Sequence, residues 1–320
     1  MENQLAPRDV LGQTLIELAE EDSSIAVLDA DFCTASKITA FRDRFPDRFI
    51  QVGIAEQNMM SMAAGLSTVG FTCFASTICA FCSRRACDQV MTSIALPNLN
   101  VKIIGLYAGL FVGKNGASHQ SLEDIGIMRS MANMTVVQPL DARETIQVLR
   151  YAARHRGPMY MRIGRDPLPQ YVPDDYVFRP GGSITLRPGG DVALLAYGDL
   201  MPQVMSAAEG LASKGIQARV VNMSSLKPID EEAVRAAARE TGRIVTVDNH
   251  NIFGGLGSAV AEVIAEKAPA RLRRIGVRDV FGKSGTNAEM LARFHLRADD
   301  IEKEVRDFLG PRFHAGNAPG

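Results

Sequence analysis

Short apolar runs alternate with longer helical patterns along the chain, and this alternation predicts its secondary structure. Runs such as SIAVLD (24–29), NVKIIGLY (100–107) and PMYMRIG (158–164) have the length and composition of strands. Patterns of ten or more residues, such as VLGQTLIELAEE and DARETIQVLRYAARH, separate them and are typical of helices. Strands that alternate with helices of this length predict an α/β fold with mostly parallel sheets flanked by helices.

The alternation is interrupted once, and the interruption predicts a boundary between two domains. The stretch DPLPQYVPDDYVFRPGGSITLRPGG (166–190) carries five prolines and repeated glycines, which is typical of a linker with room for a short hairpin. After it the α/β rhythm starts again with DVALLAYG. We therefore expect a first domain over 1–168, a linker over 169–190 and a second domain over 191–320.

Composition and charge exclude several function classes. Apolar residues make up 46% and charged residues 22% of the chain, enough to bury two cores, and the net charge is −1. A charge this small predicts neither a nucleic-acid partner nor binding to an acidic membrane. The N-terminus has no signal pattern, and no apolar run approaches the roughly 20 residues that span a bilayer. We expect a cytoplasmic protein.

Four of the five cysteines lie within fifteen residues, and Cys79 and Cys82 form a C-x-x-C. A zinc or redox site therefore has to be weighed. No histidine and no second C-x-x-C accompany them, so packing as small buried side chains is the favoured interpretation. We predict no metal site in this chain.

Glu56 is the first candidate for chemistry. It lies in the first turn of a segment, 54–66, that is apolar or small on nearly every face and so predicts a buried helix. A carboxylate there is costly without a partner. It can act as a functional acid or simply complement the helix dipole, and the residues alone do not decide between the two.

A glycine-rich loop, LYAGLFVGKNGASHQSLED, supplies the second candidate. It follows a predicted strand and carries His119 just ahead of the next helix, at the edge where open α/β sheets bind ligands. Arg162 and Arg165 follow in PMYMRIGRDPLP, where either can bind a phosphate or form an ordinary surface ion pair. The later GGLGS (254–258) lacks the G-x-G-x-x-G register, which argues against a dinucleotide site.

These residues resemble a known family. VGIAEQNMMSMAAGLSTVGFTCFAST and GASHQSLEDIGIMRSMANMTVVQPLDARE are similar to the pyrimidine-binding domain of transketolase and of 1-deoxyxylulose-5-phosphate synthase. DNHNIFGGLGSAVAE and GKSGTNAEMLARFHL resemble the family's C-terminal domain. The motifs occur in the family's order and span nearly the whole chain.

The resemblance implies thiamine diphosphate as cofactor. Glu56 matches the glutamate that hydrogen-bonds N1′ of its aminopyrimidine ring, a contact that promotes deprotonation of the thiazolium carbon and hence transfer of a two-carbon ketol unit from a ketose to an aldose. Phe81 matches the aromatic that stacks on that ring. Ile78 stands where a further aromatic is common, and Asp31 falls at an acidic position near the subunit boundary.

The resemblance also implies a substrate site. His119 matches the histidine that contacts substrate hydroxyls near the reacting carbon. Positions at the phosphate end are implied for Arg165, Arg8 and Ser36. Two positions depart from the family pattern: Asn115 replaces an aspartate that reads a substrate hydroxyl, and Tyr107 replaces a histidine at the phosphate end. We expect these changes to alter which sugar is accepted.

The diphosphate-binding domain of the family, with its G-D-G…N motif, is absent from this sequence. We therefore expect the C-terminal half of a split transketolase, which needs a separate diphosphate-binding subunit to hold the diphosphate and Mg²⁺. Two such pairs would form an A2B2 heterotetramer, because oligomers favour closed symmetry. Phosphorylated sugars are the expected substrates.

Three alternatives stay open at this point. The chain can be the E1 β chain of a 2-oxo acid dehydrogenase, which shares the two-domain plan, or part of an enzyme like 1-deoxyxylulose-5-phosphate synthase. It can also be a non-catalytic scaffold protein. The GASHQ loop argues against the first alternative, and Glu56, Phe81 and His119 together argue against the last.

Overall fold

A computed structural model of the chain describes residues 4–310, which form two mostly parallel sheets flanked by helices. The predicted fold class is confirmed. The strands are β1 Ile25–Asp29, β2 Phe49–Gln51, β3 Thr72–Ile78, β4 Val101–Leu106, β5 Thr135–Val137, β6 Met159–Ile163, β7 Ile184–Arg187, β8 Val192–Ala196, β9 Ala218–Asn222, β10 Ser225–Lys227, β11 Arg243–Asn251 and β12 Arg271–Val277. The first sheet has seven of them in the order β10-β5-β6-β4-β3-β1-β2, and the second has five in the order β12-β11-β8-β9-β7.

Ten α-helices cover the two sheets within the described residues. They are α1 Leu11–Glu21, α2 Thr39–Arg44, α3 Glu56–Thr68, α4 Asp124–Ser130, α5 Ala142–Arg154, α6 Met201–Ala212, α7 Glu231–Thr241, α8 Leu256–Glu266, α9 Asn287–Arg293 and α10 Ala298–Leu309. Short 3₁₀ turns lie at Pro7–Val10, Pro46–Arg48, Gly113–Asn115 and Gly198–Leu200. Phe81–Arg85 and Gln89–Ala95 wind as π-helix.

The central strands are buried at every residue, which explains their continuous apolar sequences. This holds for β1, β3, β4 and β6 in the first sheet and for β8 in the second. Helices on both faces of a parallel sheet leave no strand face for water, so apolar residues need not alternate with polar ones. Three helices begin with a side-chain cap: Asp141 accepts the Glu144 N–H at α5, Asp230 accepts the Ala233 N–H at α7, and Thr286 accepts the Glu289 N–H at α9.

The two sheets do not follow the expected domain boundaries. Residues 225–227, inside the expected second domain, form β10, which pairs antiparallel with β5 of the first sheet. Residues 184–187, inside the expected linker, form β7 at the edge of the second sheet, antiparallel to β9. The expected second domain therefore contributes a strand to the first sheet, and the expected linker contributes one to the second sheet.

The strand order of the first sheet reverses at β1, since β2 pairs with one edge of β1 and β3 with the other. In open α/β sheets the carboxyl ends of the strands at such a point border a crevice. The segments that leave β1, β2, β3 and β4 there carry most of the predicted site residues.

The cysteines lie as the packing interpretation predicts. All five are free thiols, and Cys79 and Cys82 are fully buried. Burial raises the pKa of Cys73 to about 12, so that thiol stays protonated. Between residues 4 and 310, no group of three or more His, Cys, Asp or Glu side chains is arranged to hold a metal ion. Every helix in that range is too short or too polar to cross a bilayer.

Candidate active site

Glu56 is the first residue of α3, and its side chain is buried with only 1% of the residue exposed. A carboxylate at this position faces the free N–H groups of the first helical turn, which stabilise negative charge. Its Oε2 accepts a hydrogen bond from Nη1 of Arg85 at 2.7 Å. The buried acid expected from the sequence is therefore present and carries one charged partner.

Arg85 also lies on an aromatic ring. Its guanidinium carbon is 4.2 Å from the centroid of the half-buried Phe81 ring, within the range of a cation–π contact. The ring of His119 meets Phe81 edge-on, with centroids 5.1 Å apart and planes at 68°. Glu56, Arg85, Phe81 and His119 thus form one continuous row of side chains.

The π-helical turn Phe81–Arg85 sets the directions of two neighbouring arginines. Arg85 reaches Glu56, whereas Arg84 donates to Glu123 at 2.9 Å and to the carbonyl of Ser118 at 2.9 Å. The turn is wider than that of an α-helix. Such π turns occur frequently at functional sites.

The glycine-rich loop brings His119 to the row. Gly113 and Gly116 have φ values of +67° and +77°, a region that side chains rarely adopt. The His119 N–H donates to the Gly116 carbonyl at 3.0 Å, and its Nδ1 lies 2.9 Å from the Ser118 hydroxyl. Asn115 lies on the same loop with its side chain exposed.

A cationic end, formed by Arg8, Arg165 and Tyr107, lies against the glycine-rich loop, where a Cβ atom on Gly113 would be 2.9 Å from Nη1 of Arg165. Arg8 donates to the Tyr107 hydroxyl at 3.2 Å, and its guanidinium carbon is 5.7 Å from the Tyr107 ring centroid. The guanidinium carbon of Arg165 is 4.9 Å from the same centroid. Tyr107 itself has φ +61° directly after β4. The predicted phosphate-end residues Arg8, Arg165 and Tyr107 are therefore brought together around one ring.

Three other predicted residues lie differently. Ser36 is fully buried, and its hydroxyl donates to the carbonyls of Phe32 and Cys33, both at 3.1 Å, so it points into the protein. Ile78 ends β3 and packs in the core beside Phe81. Asp31 is exposed after β1, with φ +58°.

Arg162, weighed from the sequence as a phosphate ligand, is instead a buried structural group. It is 0% exposed; its Nε donates to Asp124 at 2.8 Å and its Nη1 to the Gln138 side chain at 2.6 Å. Burial alone would raise the pKa of Asp124, but the Arg162 guanidinium, together with His250, holds it below its ordinary value. This ion pair lies between the two sheets.

Sequence analysis missed the residues of the second domain that contact the site. Asn249, two residues before the end of β11, is 1% exposed, and its side chain bonds to the backbone of the glycine-rich loop. Asp199 is also buried at the domain contact, and burial raises its pKa to about 7. The only sequence signal for either residue is a polar side chain at the carboxyl end of an apolar strand.

Two known protein domains match the sequence of this chain. Residues 3–170 match the pyrimidine binding domain of transketolase, and residues 181–301 match the transketolase C-terminal domain. The chain belongs to the transketolase family. The row from Glu56 to His119 therefore lies in the pyrimidine-binding domain of a thiamine-diphosphate-dependent family.

Relatives of the same length confirm this membership of the transketolase family. The chain is 42% identical over 300 residues to the 6-deoxy-6-sulfo-D-fructose transketolase subunit SqwH of Clostridium sp. (strain MSTE9), covering 94% of this chain and 93% of that protein. It is 38% identical over 308 residues to one of the apulose-4-phosphate transketolase subunits of Phocaeicola vulgatus, covering 96% and 98%. A solved split gene transketolase, an inactive beta4 tetramer, matches with 44% identity and a TM-score of 0.89, covering 95% of this chain and 98% of that one.

The transketolase pocket of this chain fits an aminopyrimidine ring. Such a ring needs an aromatic face to stack on and a buried carboxylate at one ring nitrogen. Phe81 and Glu56 offer both, and they already hold a planar, nitrogen-bearing group of similar width, the Arg85 guanidinium. A ring bound by these two residues would take the place that the guanidinium has in this structure.

Proposed function

We propose that this chain is the pyrimidine-binding half of a split thiamine-diphosphate-dependent transketolase. It would transfer a two-carbon ketol unit from a ketose phosphate to an aldose, and it would do so only with a separate diphosphate-binding subunit that holds the diphosphate and Mg²⁺. The observation that carries the proposal is the continuous row of Glu56, Phe81 and His119, in which a buried acid, an aromatic face and a loop histidine adjoin.

When bound, thiamine diphosphate supplies the nucleophilic carbon that takes up the two-carbon unit. Glu56 would hold a proton at the pyrimidine nitrogen N1′, a contact that would favour loss of the proton from that carbon. Burial of Glu56 keeps water from competing for this hydrogen bond. Phe81 fixes the plane of the pyrimidine ring, and His119, at the rim of the same row, bonds to hydroxyls beside the reacting carbonyl.

The cationic end supports a substrate with a terminal anion. Arg8 and Arg165 flank the Tyr107 ring, and both guanidinium groups are half-buried, which strengthens charge-assisted hydrogen bonds to a phosphate or sulfonate. The two named relatives act on a sulfonated and a phosphorylated sugar. Asn115 and Tyr107 are the positions that we expect to select among such sugars.

The need for the diphosphate-binding subunit is supported by the surface around Glu56. Ile54, two residues before Glu56, is 74% exposed, and Met62, less than two turns further along α3, is 36% exposed. Large apolar side chains beside a catalytic acid are typical of a surface that a partner covers. We propose that the diphosphate-binding subunit covers it, contributes the Mg²⁺ ligands and forms an A2B2 heterotetramer with this chain.

The test is thiamine diphosphate and Mg²⁺ binding by this chain alone and after mixing with a chain that carries the G-D-G…N motif. We expect tight binding and ketol transfer only in the mixture. Tight binding by this chain alone would refute the shared site. Binding in the mixture without transfer, with pyruvate or a lipoyl acceptor consumed instead, would favour the synthase-like or E1 β alternative.

A further inference from the structure

Asn249 joins the second domain to the loop that carries the substrate-site residues. Its Oδ1 accepts the Leu110 N–H at 2.9 Å, and its Nδ2 donates to the Ala108 carbonyl at 3.3 Å. The residue is 1% exposed and lies in β11 between Val247 and Asn251, which both pair with β12 of the second sheet. One side chain thus holds two backbone groups of the other domain.

The residue between those two groups is Gly109, with φ +60°. A Cβ atom on Gly109 would overlap the Asn249 side chain and its carbonyl oxygen, so the two backbones are in the closest contact that the residue types allow. The Gly109 carbonyl in turn accepts the Ser121 N–H at 3.2 Å, which closes the loop at its far end. The Asn249 contact therefore lies at the neck of the loop, where the hydrogen bond between Gly109 and Ser121 brings its two ends together.

Asn249 also reaches the far end of the loop through its main chain. Arg162 donates from Nη2 to the Asn249 carbonyl at 2.9 Å and to the Ser121 carbonyl at 3.0 Å. Next to Ser121, Gln120 donates to the Leu110 carbonyl at 3.1 Å and to the Lys283 carbonyl of the second domain at 2.9 Å. Both ends of the loop are anchored to the second domain.

The anchored loop begins at Tyr107 and ends just after His119. Tyr107 adjoins Ala108, and His119 is next to Gln120, so a shift at the neck moves both site residues. An error of about 1 Å in such a group can cost roughly 100-fold in rate. The asparagine amide is suited to this anchor because it offers one acceptor and two donors in one plane, whereas an aspartate offers acceptors alone.

We propose that Asn249 is a positioning residue for substrate: through Ala108 and Leu110 it fixes the loop that presents Tyr107 and His119. The second domain thereby takes part in substrate recognition without touching the substrate. This inference rests on the proposed transketolase function. It assigns no direct contact with the cofactor, whose predicted partners Glu56 and Phe81 lie on α3 and the first π turn.

The first test needs no activity and uses hydrogen exchange of the full chain. In Asn249→Asp, which keeps the shape but sets a carboxylate against the Ala108 carbonyl, we expect amides 108–121 to exchange at least about tenfold faster. The matched control is Asn251→Asp, the same change two residues along β11, where the amide bonds to the Asp279 side chain and the Phe253 N–H instead. Unchanged exchange in Asn249→Asp would overturn the proposal.

The second test uses the assembled enzyme. In Asn249→Asp we expect KM for the ketose donor to rise about tenfold or more while the Kd for thiamine diphosphate stays within about twofold. Equal losses of cofactor and substrate affinity would contradict a positioning role and indicate a general fault in packing. If Asn249→Asp does not fold, Gly109→Ala disturbs the same contact from the loop side and should give the same split.

The two tests distinguish a failure of the Asn249 positioning role from a failure of the proposed transketolase function. If the wild-type pair binds cofactor but transfers no ketol unit, the proposed function fails, and the exchange experiment still decides whether Asn249 orders the loop. If the wild-type pair is active and Asn249→Asp keeps its donor KM, the proposed function stands and the positioning role is refuted.

Discussion

Arg85 donates a 2.7 Å hydrogen bond to the buried carboxylate of Glu56. The same guanidinium lies 4.2 Å from the centroid of Phe81. We propose the same two contacts for an aminopyrimidine ring, and the arginine would then have to leave when the cofactor binds. Its side chain is 45% exposed and leads to solvent, which gives it a path out.

Replacing Arg85 with alanine should therefore tighten thiamine diphosphate binding to the assembled enzyme by roughly three- to tenfold, because a part-exposed ion pair that must be broken costs about 1 kcal/mol. Titration calorimetry on the mixed subunits measures this. Arg84→Ala is the matched control, since Arg84 pairs with Glu123 instead. Weaker binding in Arg85→Ala would mean that the arginine supports the bound cofactor.

The cationic end makes a prediction about substrate charge. Arg165→Ala should raise KM for phosphorylated sugars by about tenfold or more, because a hydrogen bond between charged groups is worth about 1.5–3 kcal/mol. The effect on free sugars should be less than about threefold. Arg150→Ala, which breaks an exposed pair with Glu17, serves as control. Equal increases for both kinds of sugar would count against a phosphate-binding role.

Asp199 makes a prediction about stability and pH. Burial raises its pKa to about 7, against about 3.9 in an unfolded chain. The folded chain keeps a proton that the unfolded chain releases in this window, so the free energy of unfolding should fall as pH rises from about 4 to 7, by at most about 4 kcal/mol. The Asp199→Asn side chain cannot ionise, so the variant should lack this pH-dependent fall in the free energy of unfolding.

Urea unfolding at pH 5 and pH 8 measures the difference between wild type and Asp199→Asn. The wild type should lose more stability between the two pH values than the variant does. Glu266→Gln, at an exposed position at the end of α8, should behave as wild type. Identical pH dependence in wild type and Asp199→Asn would show that Asp199 does not titrate in this range.

Local patterns in the sequence were enough to predict the fold class and some of the candidate site residues. Continuous apolar runs predict buried parallel strands, and Glu56 could be located because an acid at the start of an apolar helix is a local feature. The cysteine packing was predictable for the same reason. The glycine spacing around His119 likewise marks a ligand loop without any long-range information.

Contacts between distant residues could not be predicted in this way. Glu56 and Arg85 are 29 residues apart, and Leu110 and Asn249 are 139 apart. Ser36 turns inward because its loop closes on itself, which its sequence does not reveal. Arg162 is buried and Arg165, three residues later, is half-buried, because β6 ends between them and only the folded sheet sets that depth.

The central claim is that Glu56 supplies the acid function of a shared transketolase site, and single-turnover ketol transfer by Glu56→Gln in the assembled enzyme tests it most directly. The amide keeps the shape but cannot exchange a proton with N1′, a function worth about 100- to 10,000-fold. We predict a loss of at least about 100-fold in transfer rate, with thiamine diphosphate still bound. Full activity in Glu56→Gln would contradict the account and favour a scaffold role for this chain.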